Sequence, residues 1–226
     1  MNPDMLCAEK VRAYLFTNYA PKNIVSGYQN IEPNDHIIAV DNGLKYVDEL
    51  GLSPYILIGD QDSLEPALLN KYSQIPCYLH PSEKNDTDTE LAINWCINQK
   101  CYAEIIICNS LEGRFDHSLA IALNLLKLPY PTMEHMIFPT PYRIESDKQT
   151  VFILPDNIEF NNCEGKTLSL ISLSHRVIFY NSQNLKYSLN NLVIKQFQSR
   201  GISNLIISKQ ASISKKEGVC LAILSE

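Results

Sequence analysis

Continuous apolar runs alternate with helix-period segments through the first half of the chain. HIIAV (36–40), YILIG (55–59) and EIIIC (104–108) are short and rich in β-branched residues, the mark of strands covered on both faces. IPCYLH (75–80) predicts a further strand. Between them, GLKYVDELG (43–51) predicts a short helix closed by glycine, and LEPALLNKY (64–72) has helical spacing with Pro66 in its first turn. DTDTELAINWCINQ (86–99) predicts a long helix with an acidic first turn and with Leu91, Trp95 and Ile97 near one face. DHSLAIALNLLKL (116–128) predicts another helix. Strands separated by helices imply an α/β domain built on a mostly parallel, doubly wound sheet.

The pattern changes at LPYPTM (128–133), where two prolines stop the helix. Beyond it come short β-rich pieces: TVFILP (150–155), TLSLISL (167–173), RVIFY (176–180), NLVIKQF (191–197), NLIISK (204–209) and VCLAIL (219–224). They are separated by Asn, Ser, Asp, Gly and Lys, a spacing that predicts an antiparallel β-sandwich or barrel. The expected division is an α/β domain over 1–138 and a β-sandwich domain over 139–226.

Composition narrows the function classes. With 226 residues, 45 % hydrophobic and 19 % charged, the chain is long enough for a real core in one or two domains. A net charge of −6 argues against a broad grip on nucleic acid. No run is long enough to span a bilayer, and MNPDMLCAEKVRAY (1–14) lacks the apolar stretch of a secretory signal, so a cytoplasmic protein is expected. The seven cysteines are odd in number and form no CxxC, and the five histidines show no ligand spacing. Buried thiols in a reducing compartment are therefore favoured over disulfides or zinc.

In an open parallel sheet, ligands bind beyond the carboxyl ends of the strands. Three predicted strands end in polar loops: DNG (41–43), DQDS (60–63) and NSLEGRFDH (109–117). A fourth cluster, NDTD (85–88), opens the long helix. Parallel order brings all four to one rim. Asp60 and Asp62 can face one hard cation such as Mg²⁺, which takes one or two carboxylates and fills its octahedron with water and phosphate oxygens. Taken alone, the D-x-D pattern fits a helix cap with a solvated turn equally well. In NDTD, Thr87 or Asp86 as an N-cap is the better reading of the residues alone. In EGRFDH, Gly113 allows unusual backbone, Arg114 offers a planar fork, and Asp116 and His117 open a helix whose N-terminus favours anions. Carboxylates and an arginine on one rim suit phosphoryl chemistry. There is no GxxxxGK[ST] and no GxGxxG.

DNGLKYVDELGLSPYILIGDQDSL, PSEKNDTDTELAINW and LEGRFDHSLAIALNLL, in this order and spacing, resemble the thiamine pyrophosphokinase family. The tail from 185 to 224, with its GISN, is similar to that family's β-sandwich. The resemblance implies transfer of pyrophosphate from ATP to the hydroxyl of thiamine, giving thiamine diphosphate and AMP. It implies a need for Mg²⁺, and a homodimer whose two domains both contribute to the thiamine site. By resemblance, Asp41, Asp60 and Asp62 take metal and phosphate positions, and Thr87 and Asp88 lie near the acceptor alcohol. Arg114, Asp116 and His117 match the nucleotide motif, and Ser203 and Asn204 the thiamine contact. The chain departs from the pattern at Asn42 and Glu112, where glycine is usual, at Asn85, where aspartate is usual, and in LFTNYAP (15–21), which replaces a glycine-containing loop. A pyrophosphokinase for another alcohol, such as a hydroxymethyl pterin, and a silent binder of thiamine or nucleotide are the alternatives.

Overall fold

The computed structural model describes residues 11–20, 31–60, 62, 64–79, 85–129 and 135–226. Gln61, Ser63, residues 80–84 and the prolyl segment 130–134 lie outside the described residues, as does the expected N-terminal segment up to residue 10. The chain divides into two units: residues 1–128 with 144–147, and residues 129–143 with 148–226. The division expected from the change of pattern, 138/139, lies within the first segment of the second unit.

The first unit holds strands β1 (Val11–Phe16), β2 (His36–Val40), β3 (Ile56–Gly59), β4 (Cys77–Leu79) and β5 (Tyr102–Cys108), with helices α1 (Gly43–Glu49), α2 (Pro66–Lys71), α3 (Asp88–Gln99) and α4 (Phe115–Asn124). The strands lie in the order β5-β1-β2-β3-β4, and every pair is parallel. Tyr14, Phe16, Ile37, Ala39, Leu57, Ile106 and Cys108 form one buried face with Leu44, Tyr46 and Val47 of α1. Side chains alternate across a strand, so Leu15, Ile38, Ile58 and Ile107 face the other way, and α3 packs on β1, β2, β3 and β5. The sheet is thus doubly wound.

The buried face of α3 is not the one that Leu91, Trp95 and Ile97 share. Ala92, Ile93 and Cys96 are its buried residues, whereas Leu91, Trp95 and Ile97 are only half buried. Small side chains at 92 and 96 let the helix sit close to the sheet. Trp95 instead tilts against Tyr55 and Tyr102, at centroid distances of 6.5 and 6.4 Å. The strand β1 is hidden in sequence because VRAYLF carries a charge, Arg12, at its second position and so does not read as a continuous apolar run.

The second unit is a sandwich of two sheets around one core. Strands β8 (Gln149–Ile153), β10 (Thr167–Ser172), β13 (Asn204–Leu205) and β15 (Cys220–Ser225) run in the order β13-β10-β15-β8, all antiparallel. Strands β6 (Met136–Ile137), β9 (Asn157–Asn161), β11 (Arg176–Gln183), β12 (Val193–Lys195) and β14 (Gln210–Glu217) form the other sheet, in the order β12-β11-β14-β9-β6. Phe152, Phe160, Leu170, Phe179 and Ile213 fill the space between them. A last strand, β7 (Tyr142–Glu145), brings the chain back to the first unit beside β5, where Glu145 O accepts from Asn109 N at 3.1 Å.

Candidate active site

Because β1, β2, β3 and β5 are parallel neighbours, the loops after them leave one edge of the sheet. The loop after β2 is tight. A Cβ at Gly43 would lie 1.8 Å from Phe16 O, so only glycine lets α1 begin this close to β1. The turn is closed by Asp41 in the left-handed region, φ 50°, with its N–H donating to Ile58 O at 2.9 Å. Aspartate tolerates that backbone better than most residues.

Gly59 ends β3 at φ 143°, a conformation that side chains rarely adopt. A Cβ there would lie 3.3 Å from the Cα and N of Asp41 and 3.3 Å from Asp88 Oδ1. The bare backbone of Gly59 therefore brings Asp41 and Asp88 to the end of β3, where Asp60 follows. Asp60 Oδ1 accepts from Asp62 N at 3.1 Å, which folds the D-x-D turn over. Thr87 is the N-cap of α3, its Oγ1 accepting from Glu90 N at 3.2 Å. That hydrogen bond aims the first turn of α3, with Asp88 on it, at the strand ends.

The loops after β1 and β5 are tied by a buried pair that the sequence reading did not single out. Asn109 Nδ2 donates to Thr17 Oγ1 at 2.6 Å and to Asn18 O at 3.1 Å, and its Oδ1 accepts from Leu111 N at 2.7 Å. Thr17 Oγ1 donates in turn to Cys108 O at 3.1 Å. An asparagine directly after a buried apolar strand is the one signal that could have marked this position. Tyr19 has φ 70°, and its ring lies against Gly113, where a Cβ would come within 3.0 Å of it. Beyond Gly113, Arg114 makes a forked contact with Asp116, Nε to Oδ1 at 3.2 Å and Nη2 to Oδ2 at 2.6 Å. Its hydrogen bonds to Arg114 hold the Asp116 carboxyl below its ordinary range. Asp116 Oδ1 also accepts from His117 N at 3.0 Å. Asn18, Tyr19, Asn109, Glu112, Arg114 and His117 border a cavity of about 260 Å³.

In the second unit, Asn204 is buried and its amide meets Leu205 and Tyr187, with Leu205 N donating to its Oδ1 at 2.9 Å. Its Oδ1 accepts from Tyr187 N at 2.9 Å and its Nδ2 donates to Tyr187 O at 2.7 Å. Ser203 is exposed, with φ 59°, and its N–H donates to Ser169 Oγ at 3.1 Å. The clamp presents Tyr187, an exposed ring that already receives a cation, Lys186 Nζ, 5.6 Å from its centroid. Tyr187 is a second residue missed in the sequence, where it reads as one more aromatic in a loop.

A family model described as the catalytic domain of thiamin pyrophosphokinase matches residues 28–137, and one described as its vitamin B1 binding domain matches residues 153–220. The chain belongs to the thiamine pyrophosphokinase family. Thiamine pyrophosphokinase of Bacillus subtilis is 26 % identical over 214 residues, covering 91 % of this chain and 94 % of that one. Thiamin pyrophosphokinase 1 of Caenorhabditis elegans is 22 % identical over 179 residues, covering 75 % of this chain and 70 % of its own length. The crystal structure of the Bacillus subtilis enzyme overlays with a TM-score of 0.80 at 22 % identity, covering 95 % of this chain and 98 % of that one.

Two departures from the thiamine pyrophosphokinase pattern are benign in the backbone. Asn42 has φ −62° and ψ −4°, ordinary helical values that require no glycine. Glu112 sits between two residues of positive φ, Leu111 and Gly113, and is not itself one of them. Its side chain borders the cavity and changes the charge there, not the fold of the loop.

Among the described residues, no group of three or more His, Cys, Asp or Glu side chains forms a preset metal cage. The donor set nevertheless suits Mg²⁺ that arrives with a phosphate, since that ion takes one or two carboxylates and keeps water and phosphate oxygens for the rest.

Proposed function

We propose that the chain is a thiamine diphosphokinase, using ATP and Mg²⁺ to convert thiamine into thiamine diphosphate and AMP. The observation that carries this reading is the gathering of Asp41, Asp60 and Asp88 around Gly59 on the rim that also bears Arg114. The thiamine hydroxyl oxygen attacks the β-phosphorus of ATP. The new P–O bond forms as the bond from the β-phosphorus to the α–β bridging oxygen breaks, and AMP leaves with that oxygen. The hydroxyl proton passes to the Asp88 carboxylate, which the cap at Thr87 holds at the strand ends. Asp60 and Asp62, with Asp41 beside them, would hold a Mg²⁺ whose charge offsets that of the triphosphate. Arg114 exchanges its exposed partner Asp116 for phosphate oxygens, and Asp116 and His117 keep the start of α4 in register. Positioning and charge stabilisation carry most of the rate gain in such a transfer.

For thiamine, Tyr187 supplies an aromatic face to the cationic ring, and Ser203 a hydroxyl to a polar edge. Asn204 acts through Tyr187 as its clamp. A homodimer is part of the reading, and it is supported by the exposed apolar side chains of the second unit: Phe197, 97 % exposed, with Ile202 and Ile207. Light scattering should then give twice the 25.7 kDa chain mass. The test of the reaction is AMP release from Mg·ATP with thiamine, against the same mixture with a hydroxymethyl pterin or with no alcohol. Release that requires thiamine supports the proposal. Release with the pterin alone, or thiamine binding without release, overturns it.

A further inference from the structure

Two cysteines meet where α3 ends and β5 begins, at the edge of the sheet away from the acidic loops. Cys96 is buried on the inner face of α3, 1 % exposed, and Cys101 is half buried just before β5. Both stand as thiols in this structure. Lys100 between them turns into the left-handed region, φ 55°, and its N–H donates to Ile97 O at 3.2 Å. In a cap of this kind the residue after the left-handed turn folds back against the last turn of the helix. The same turn ends α1. There Gly51, φ 67°, donates to Asp48 O at 3.0 Å, Leu52 N donates to Val47 O at 3.0 Å, and Leu52 packs against the cluster that holds Val47. In α3 the places of Val47 and Leu52 fall to Cys96 and Cys101. The two thiols also feel each other: burial, and after it Cys101, pushes the Cys96 thiol up.

We propose that Cys96 and Cys101 form a dithiol site that reacts with a low-molecular-weight disulfide, such as oxidised glutathione, and closes into a reversible internal disulfide joining α3 to β5. The proposal goes beyond the phosphoryl-transfer reading and does not rest on it, since along the helix axis the pair lies roughly 12 Å from Asp88. The half-exposed thiol starts the reaction, because an outside disulfide can reach it. The Cys101 thiolate attacks one sulfur of oxidised glutathione, that S–S bond breaks, and one glutathione thiolate leaves. Cys96 then attacks Cys101 Sγ, a new S–S bond forms within the chain, and the second glutathione leaves with the Cys96 proton. Two protein thiols are oxidised, and one glutathione disulfide is reduced to two glutathiones. Burial keeps Cys96 protonated and inert to outside reagents, so it reacts only with the sulfur held beside it, where proximity offsets its small thiolate fraction. In a reducing compartment such a bond is transient and redox-sensing rather than structural.

The test treats the full chain with oxidised glutathione, digests it with trypsin without reduction, and reads the peptides by mass spectrometry. Trypsin cuts after Lys84, Lys100 and Arg114, so the bond should join peptide 85–100 to peptide 101–114, and fragmentation should assign it to Cys101 rather than Cys108. Cys101→Ser should form no such link, and Cys96→Ser should stop with glutathione held on Cys101. Closing the short ring should raise the melting temperature by roughly 4–8 °C, and dithiothreitol should reverse both the link and the rise. The melting measurement needs no variant, so it stands if Cys96→Ser fails to fold. The exposed Cys77 is the internal control for the reagent. The proposal is overturned if Cys77 takes up glutathione while the two peptides stay apart, if the bridge runs through Cys108, or if the linked chain melts no higher than the reduced one.

Discussion

Replacing Asn109 by alanine removes three hydrogen bonds at once from a residue only 3 % exposed. Thr17 Oγ1 keeps its bond to Cys108 O, but Leu111 N and Asn18 O lose a partner. Each bond contributes about 0.5–1.5 kcal/mol net, and a buried donor left alone costs more, so the expected loss is about 2–4 kcal/mol. At about 2–4 °C per kcal/mol for a chain of this size, the melting temperature should drop by roughly 5–15 °C. The functional consequence follows from the same bonds. They join the β1 loop to the β5 loop, so the nucleotide side should loosen: KM for ATP should rise several-fold while KM for thiamine stays near its wild-type value. Asn109→Asp sharpens the test. It keeps an acceptor for Leu111 N but turns the donor facing Asn18 O into a second acceptor, so it should be at least as unstable at neutral pH. Calorimetric melting and steady-state kinetics on both variants check this. A melting temperature within about 2 °C of wild type, with unchanged KM for ATP, would refute the claim that this amide ties the two loops.

Asp60→Asn and Asp62→Asn should each lower kcat/KM by roughly 10²-fold or more with the fold intact, and raising Mg²⁺ should not restore it; near-normal turnover across a Mg²⁺ titration would remove that residue from the site. Arg114→Lys keeps the charge but cannot fork to two oxygens, so kcat/KM for ATP should fall well beyond twofold, and a smaller loss would make Arg114 a surface partner of Asp116 only. His36, stacked on Tyr55 at 3.7 Å and 2.8 Å from Tyr102 Oη through Nδ1, has its pKa lowered by burial against the opposing pull of Asp35. The fold thus favours the neutral ring, and the unfolded chain takes up the proton first, at a pKa of about 6.5. Stability is full above that pH and declines as pH falls through it toward the lower folded value; urea unfolding from pH 8 to 5 should show a steeper decline in wild type than in His36→Phe, and equal slopes would contradict the assignment.

Much of this architecture is legible in the sequence, and the gaps have physical causes. HIIAV, YILIG and EIIIC are apolar on both faces because helices cover both sides of their sheet. β14 is hidden because QASISKKE places a lysine at a buried position. Lys215 is sheltered by its bonds to Asp156 at 2.6 Å and Gly218 O at 2.9 Å, so the alternation Ala211, Ile213, Lys215 does not look apolar. β9 is hidden because NIEFN offers only Ile158 and Phe160 between polar residues. In the site, the acidic loops announce themselves by charge. Thr17, Tyr19 and Asn109 act through backbone geometry and a buried amide, and these leave no charge pattern to read. Asn204 was expected as a direct thiamine contact from its place in GISN. The sequence could not show that its amide clamps Tyr187, 17 positions earlier in the chain.

The most direct test of the central claim follows the label from ATP carrying ³²P at the β-position, with thiamine and Mg²⁺, and separates the products by chromatography. Transfer of the intact pyrophosphoryl group puts the β-label into thiamine diphosphate and leaves unlabelled AMP in equal amount. Label remaining in ADP, with thiamine monophosphate as the other product or no thiamine product at all, would contradict the account.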